Sequence, residues 1–149
     1  MPIICYLDAF SGVSGDMLVG AGIGQGDAGA DQAAITQAIA SLDVGAAVSF
    51  EKVLRSGIGA TKYRVAVQET TTHRHLSSII KTIERANLAE PARRTAIQVF
   101  RKLAEAEAEV HQLPIEKVHF HEVGAADSIA DIVGTAVSLD LLEDRKSVV

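Results

Sequence analysis

Residues 118–134, VHFHEVGAADSIADIVG, open like a strand and close like a helix. His119 and His121 are two apart, so an extended backbone points both imidazoles to one side, with their Cα atoms roughly 6.5–7 Å apart. Ile129, Ile132, Val133, Ala136 and Val137 then recur at helical spacing. A strand that runs straight into a helix commits the chain to a mixed α/β architecture, and this junction also concentrates the chain's candidate ligands.

The rest of the chain supplies partners for that unit. Ile3 to Leu7 form a short apolar run ending at Asp8, the pattern of a buried strand, and the loop DAFSGVSGD leads into a helix at MLVGAGI. QAAITQAIASL is an amphipathic helix on Ile35, Ile39 and Leu42, capped by Asp31. AAVSFEKVL and TKYRVAVQE flank RSGIGA, two strands about a glycine turn. LSSIIKTIERANL predicts a helix with Ile79, Ile80 and Ile83 on one side. A longer helix starts near Pro91 and carries its stripe on Ala96, Phe100, Leu103 and Val110. The predicted fold is α/β (α+β), a single domain over 1–149, in which a small mixed sheet with a β-hairpin packs against several helices. At 149 residues and 48% hydrophobic, the chain can fill one core.

Charge and targeting narrow the function classes. The net charge is −5 and the 14 lysines and arginines are dispersed, which argues against nucleic acid as a partner. MPIICYLDAF has neither a basic start nor an apolar span, so neither a signal peptide nor a membrane anchor is expected. A lone cysteine, Cys5, builds no disulfide framework and fits a reducing, cytoplasmic setting.

Four of the five histidines form two H-x-H pairs, His73 with His75 and His119 with His121. Each pair can converge on one ion, and together they make a metal site if the fold joins them. His75 directly precedes LSSII and so sits near a helix N-terminus. Glu107 and His111, four apart, share a helix face and read equally as an ordinary surface pair. Asp127, Asp131 and Ser138 lie opposite the apolar side of the last helix. The two carboxylates suit a hard cation, a hydrogen bond to a ligating histidine, or plain solvent, with Asp127 also a candidate N-cap. Ser11, Gly12, Ser14 and Gly15 have the anatomy of an anion cradle, but no Walker lysine is present. Asp8 and Asp16 would repel a bare phosphate unless a cation accompanied it.

The blocks YLDAFSGVSGDMLVGA, HRHLSSI and AEAEAEVHQLPIEKVHFHEVGAADSIADIVG, in that order, resemble the LarC-type nickel-insertion proteins over nearly the whole chain. Those cytosolic, metallochaperone-like enzymes insert Ni(II) into pyridinium-3,5-bisthiocarboxylic acid mononucleotide. They thereby complete the nickel-pincer cofactor of lactate racemase and its relatives, consuming CTP with Mg(II) or Mn(II). The resemblance implies metal ligands at His73, His75, His119, His121 and Glu122, catalytic roles at Asp8, Ser11, Ser14 and Asp16, and cofactor contacts at Gly12, Gly15, Asp127 and Asp131. Two departures stand out. Family members often carry a longer histidine run before HRHL, and they continue beyond LDLLEDRKSVV into further strands and a C-terminal domain associated with nucleotide handling. The expected partners are therefore the cofactor precursor, a missing C-terminal domain or separate subunit, and a second copy of the chain. The competing readings are a divalent-metal-dependent phosphohydrolase or nucleotide-binding enzyme built on the aspartates, and a non-catalytic assembly module that docks a partner domain through its last helix and incomplete sheet.

Overall fold

The computed structural model describes residues 6–24, 29–68, 74–121 and 123–142. Cys5 and most of the expected first strand, together with His73 and Glu122, lie outside them. The elements run α1 (Gly15–Ile23), α2 (Gln32–Ala40), β1 (Ala46–Arg55), β2 (Ile58–Val67), β3 (Arg74–His75), α3 (Leu76–Arg85), α4 (Glu90–His111), a 3-10 turn at Ile115–Lys117, β4 (His119–Phe120) and α5 (Ala126–Leu141). The mixed α/β architecture expected from the sequence is present. Among the described residues its strands form two separate antiparallel pairs, β1 with β2 and β3 with β4.

Local chemistry explains the element ends. The Asp31 carboxylate accepts the Ala33 N–H at 2.9 Å, satisfying one of the donors left open at the start of α2. The ten-pair β1–β2 ladder closes on Arg55 opposite Ile58. The intervening Ser56 and Gly57 have φ of 49° and 81°, the left-handed pair a two-residue hairpin turn requires. Pro91 occupies the first turn of α4, and Gln112, at φ 52°, ends that helix.

The core forms around α5, against which α1, α2, α4 and the hairpin all pack. Here the structure corrects the sequence reading. An outer face on Asp127, Asp131 and Ser138 was expected, yet Ser138 is only 2% exposed and Asp131 is half-buried. The reason is steric. Glycines let α1 lie directly on that side of α5: a Cβ on Gly15 would meet Asp131 Cβ at 2.7 Å, and one on Gly22 would meet Ser138 Oγ at 2.1 Å. Both contacts recur after seven residues, so the two helices run parallel and in register. From α5 itself, Gly134 opens space for Val19 and Tyr63.

Two smaller expectations also change. Val110 is 77% exposed, because the buried stripe of α4 follows the small residues Ala92, Ala96 and Ala104 with Phe100 among them. Asp127 is not the N-cap of α5. Ala125 holds that position, and Asp127 lies within the first turn, where its carboxylate accepts the Ser128 N–H at 2.7 Å. At the chain start, Tyr6 makes an isolated bridge and both Tyr6 and Asp8 are exposed, so the described end of the predicted strand is not buried.

Candidate functional site

The short β3–β4 pair joins the two histidine motifs. His75 pairs with His119, and Arg74 with Phe120. The alternation of an extended chain sends Phe120 inward against Phe100, ring centroids 6.2 Å apart, and leaves His119 on the exposed side with His75. The His75 and His119 rings stand 3.9 Å apart between centroids and are tilted by 47°. His75 is also the residue that starts α3, with extended φ and ψ of −75° and 152°. One of the two imidazoles is therefore anchored by a helix start and the other by a buried aromatic neighbour. Among the described residues no three histidine, cysteine or carboxylate side chains are grouped tightly enough to enclose an ion. The described part of this centre is the His75–His119 pair, with His121 exposed two residues on.

The histidine pair is fastened to α5. Arg74 donates from Nη1 to the Gly124 carbonyl at 2.6 Å, just ahead of the helix. Gly124 is required there, since a Cβ would lie 2.8 Å from the Phe120 carbonyl oxygen and 3.4 Å from Arg74 Cβ. Glu107 and His111, the other histidine-bearing pair, bond to each other at 3.2 Å on the exposed side of α4. That is the ordinary i,i+4 surface contact.

A second cluster borders the first turns of α5. The Ser14 hydroxyl donates to Asp16 Oδ1, which also accepts the Met17 N–H at 2.9 Å. The Asp16 N–H donates in turn to the Asp131 carboxylate. Burial, then the neighbouring charges of Asp16 and Asp127, push the Asp131 carboxyl up to about 6. Its Oδ1 is shielded from solvent and has no hydrogen-bond partner among the described residues. Tyr63, buried under the same cluster, is raised far above the usual phenol range, first by burial and then by Asp131 and Asp16. Its hydroxyl donates weakly to the Ala130 carbonyl at 3.4 Å.

The competing sequence reading placed Asp8, Asp16, Asp127 and Asp131 on one cation; the structure brings Asp16, Asp127 and Asp131 together and leaves Asp8 exposed on the preceding loop, and Tyr63, read only as a strand residue, lies beneath them. No local pattern links residues so far apart in the chain. The recurrence of glycine at 15 and 22 was the available hint of close helix packing. Of the loop residues expected to cradle an anion, Ser14 and Gly15 border the carboxylate cluster, whereas Asp8, Ser11 and Gly12 lie exposed on the preceding loop. The N-terminal donors of α1 are directed at carboxylates, Met17 N–H at Asp16 and Asp16 N–H at Asp131, so the helix start is already matched to negative charge and a bare anion would be repelled.

Comparison with known proteins follows the same lines. A family model described as "Nickel insertion protein" matches residues 5–149. The chain is 46% identical over 147 residues to a pyridinium-3,5-bisthiocarboxylic acid mononucleotide nickel insertion protein of Geobacillus kaustophilus (strain HTA426), covering 91% of this chain and 35% of the relative. It is 44% identical over 133 residues to the protein of that name from Desulfitobacterium hafniense (strain DSM 10664 / DCB-2), covering 89% and 32%. The chain thus spans about a third of the length of the curated relatives it matches. No solved structure matches.

Proposed function

Because the chain belongs to the nickel insertion protein family, we propose that it binds Ni(II) through its two H-x-H motifs and serves the insertion of that ion into pyridinium-3,5-bisthiocarboxylic acid mononucleotide. The observation that carries this reading is the cross-strand contact of His75 with His119, 3.9 Å between ring centroids, which brings motifs more than forty residues apart to one exposed site. In the proposal His73, His121 and Glu122 complete the ligand set. Imidazole and carboxylate are borderline to hard donors, able to collect Ni(II) and still yield it to the sulfur atoms of an acceptor. Neutral imidazole is the ligating form, so binding strengthens as pH rises through the histidine range.

The finer reading is a cytoplasmic, metallochaperone-like insertase of the lyase class that consumes CTP with Mg(II) or Mn(II) and serves lactate racemase maturation. In this scheme Asp16 and Asp131 are proposed to meet the cation together with the nucleotide's own oxygens, with Asp127 nearby. They are oxygen donors, and the shielded Asp131 Oδ1, without a partner among the described residues, lacks the charge a divalent ion would supply. Asp8, Ser11 and Ser14, with the backbone at Gly12 and Gly15, are proposed to orient the phosphate-bearing partner beside it. Turnover is proposed to need the additional chain of the longer relatives.

Isothermal titration with Ni(II) tests the main reading. Binding tighter than about 10⁻⁴ M that is lost in a His119→Ala/His121→Ala variant is expected. Weaker binding, or binding that the double substitution leaves unchanged, rejects it. Saturation-transfer NMR with CTP and Mg(II) tests the nucleotide role, which fails if no CTP proton contacts the protein.

A further inference from the structure

Arg74 stands between two candidate metal ligands, His73 and His75, in the run His-Arg-His. A positive charge beside a site for a divalent cation opposes binding, and a guanidinium cannot shed its charge. An arginine there needs another physical reason, and the strand register supplies one. Arg74 lies opposite Phe120 and His75 opposite His119, so the alternation of an extended chain carries the Arg74 side chain to the side away from the two imidazoles. There it is half-buried, and its Nη1 donates to the carbonyl of the buried Gly124 at 2.6 Å, a charge-assisted bond.

The pairing that this bond supports is slight. β3 and β4 hold two residues each, and α3 and α4 lie between them in the chain. Each strand has its own anchor: His75 begins α3, whose Ile79 and Ile83 are fully buried, and Phe120 packs on Phe100 in the core. Neither anchor fixes the separation of the two imidazoles, and so short a ladder is marginal by itself. The Arg74–Gly124 bond crosses from one segment to the other. It ends one residue before Ala125, the N-cap of α5, so the histidine pair is referenced to a core helix. The fit at that end is tight, with only 3.4 Å between Arg74 Cβ and the position a Cβ on Gly124 would take.

We propose that Arg74 is a positioning residue of the nickel site, clamping β3 onto the corner between β4 and α5 so that His75 and His119 meet one ion. The inference rests on the nickel-binding reading above and adds to it the residue that holds the two motifs together. Its sign separates it from simple electrostatics. An Arg74 that acted on the metal through charge alone would, once neutralised, leave Ni(II) bound more tightly. A clamp predicts the reverse: binding weakens although a repulsive charge has gone, because ligands held together in advance bind more tightly than ligands that must first be brought together.

The test compares the parent chain with Arg74→Met, which keeps the apolar stem and loses the donors, and Arg74→Lys, which keeps a charged donor. Isothermal titration is expected to show Ni(II) binding at least about tenfold weaker in Arg74→Met and near the parent value in Arg74→Lys. In the metal-free proteins the nuclear Overhauser contact between the His75 and His119 rings is expected in the parent and Arg74→Lys, and lost in Arg74→Met. Gly124→Ala, which disturbs the other end of the clamp, is expected to weaken Ni(II) binding as well, and it carries the comparison where Arg74→Met does not fold in a urea titration. Unchanged or tighter Ni(II) binding in the clamp variants, weakened binding with the ring contact intact, or no recovery in Arg74→Lys overturns the inference and leaves the proposed function standing. Absence of Ni(II) binding in the parent chain rejects both.

Discussion

Replacing Asp131 by asparagine keeps the shape of the side chain and its acceptor for the Asp16 N–H while deleting the charge that burial and two neighbouring carboxylates oppose. Holding a carboxyl at about 6 instead of its ordinary 3.8 means that the folded state keeps a proton the unfolded chain has already released. Stability from this group is therefore greatest below about pH 4, falls as pH rises toward 6, and is level above that. At about 1.4 kcal/mol per tenfold change in acidity the full difference is about 3 kcal/mol, and because the side chain is partly exposed, solvent screening reduces it to about 1–2 kcal/mol. Asp131→Asn should thus match the parent protein near pH 4 and exceed it by about 1–2 kcal/mol at pH 7.5, with a melting temperature higher by about 3–8 °C. Urea unfolding at both pH values measures this. Millimolar Mg(II) should narrow the gap at pH 7.5 by stabilising the parent alone, since a cation between Asp16 and Asp131 offsets the same repulsion. A variant that is less stable at pH 7.5, or shifted equally at both pH values, would refute the reasoning.

Three further outcomes are expected. Phe100→Ala, which removes a fully buried ring packed edge-on against Phe120 beneath the histidine pair, should cost about 3–5 kcal/mol in urea unfolding, whereas Phe100→Leu should cost far less. Gly20→Ala forces a methyl group onto the Thr61 carbonyl and should cost about 1–3 kcal/mol in the same assay. Ser56→Asn places a residue that tolerates left-handed φ ahead of Gly57 in the hairpin turn and should raise stability by about 0.5 kcal/mol, read as a higher urea midpoint with an unchanged slope.

How far the sequence carries can be traced through particular residues. The helices, the hairpin and its turn, and the Asp31 cap were legible because each depends on neighbours within a few positions: a period, a cap donor, a left-handed glycine. The resemblance in the motif blocks named the family, and the family match over residues 5–149 agrees with it. The two-residue spacing of the histidines showed that each pair could converge. It could not show that His75 would meet His119, because that contact exists only once β3 pairs with β4.

Helical spacing likewise found the carboxylates of α5 but placed them on an outer face. One period describes one face, and it does not record whether a second helix covers the other. That was decided by Gly15 and Gly22, whose missing side chains let α1 settle against Asp131 and Ser138. The sequence by itself determined the elements, the family and the candidate ligands. Tertiary packing decided which ligands meet and which charge is buried, because proximity across the chain and desolvation arise only when separate elements close on one another.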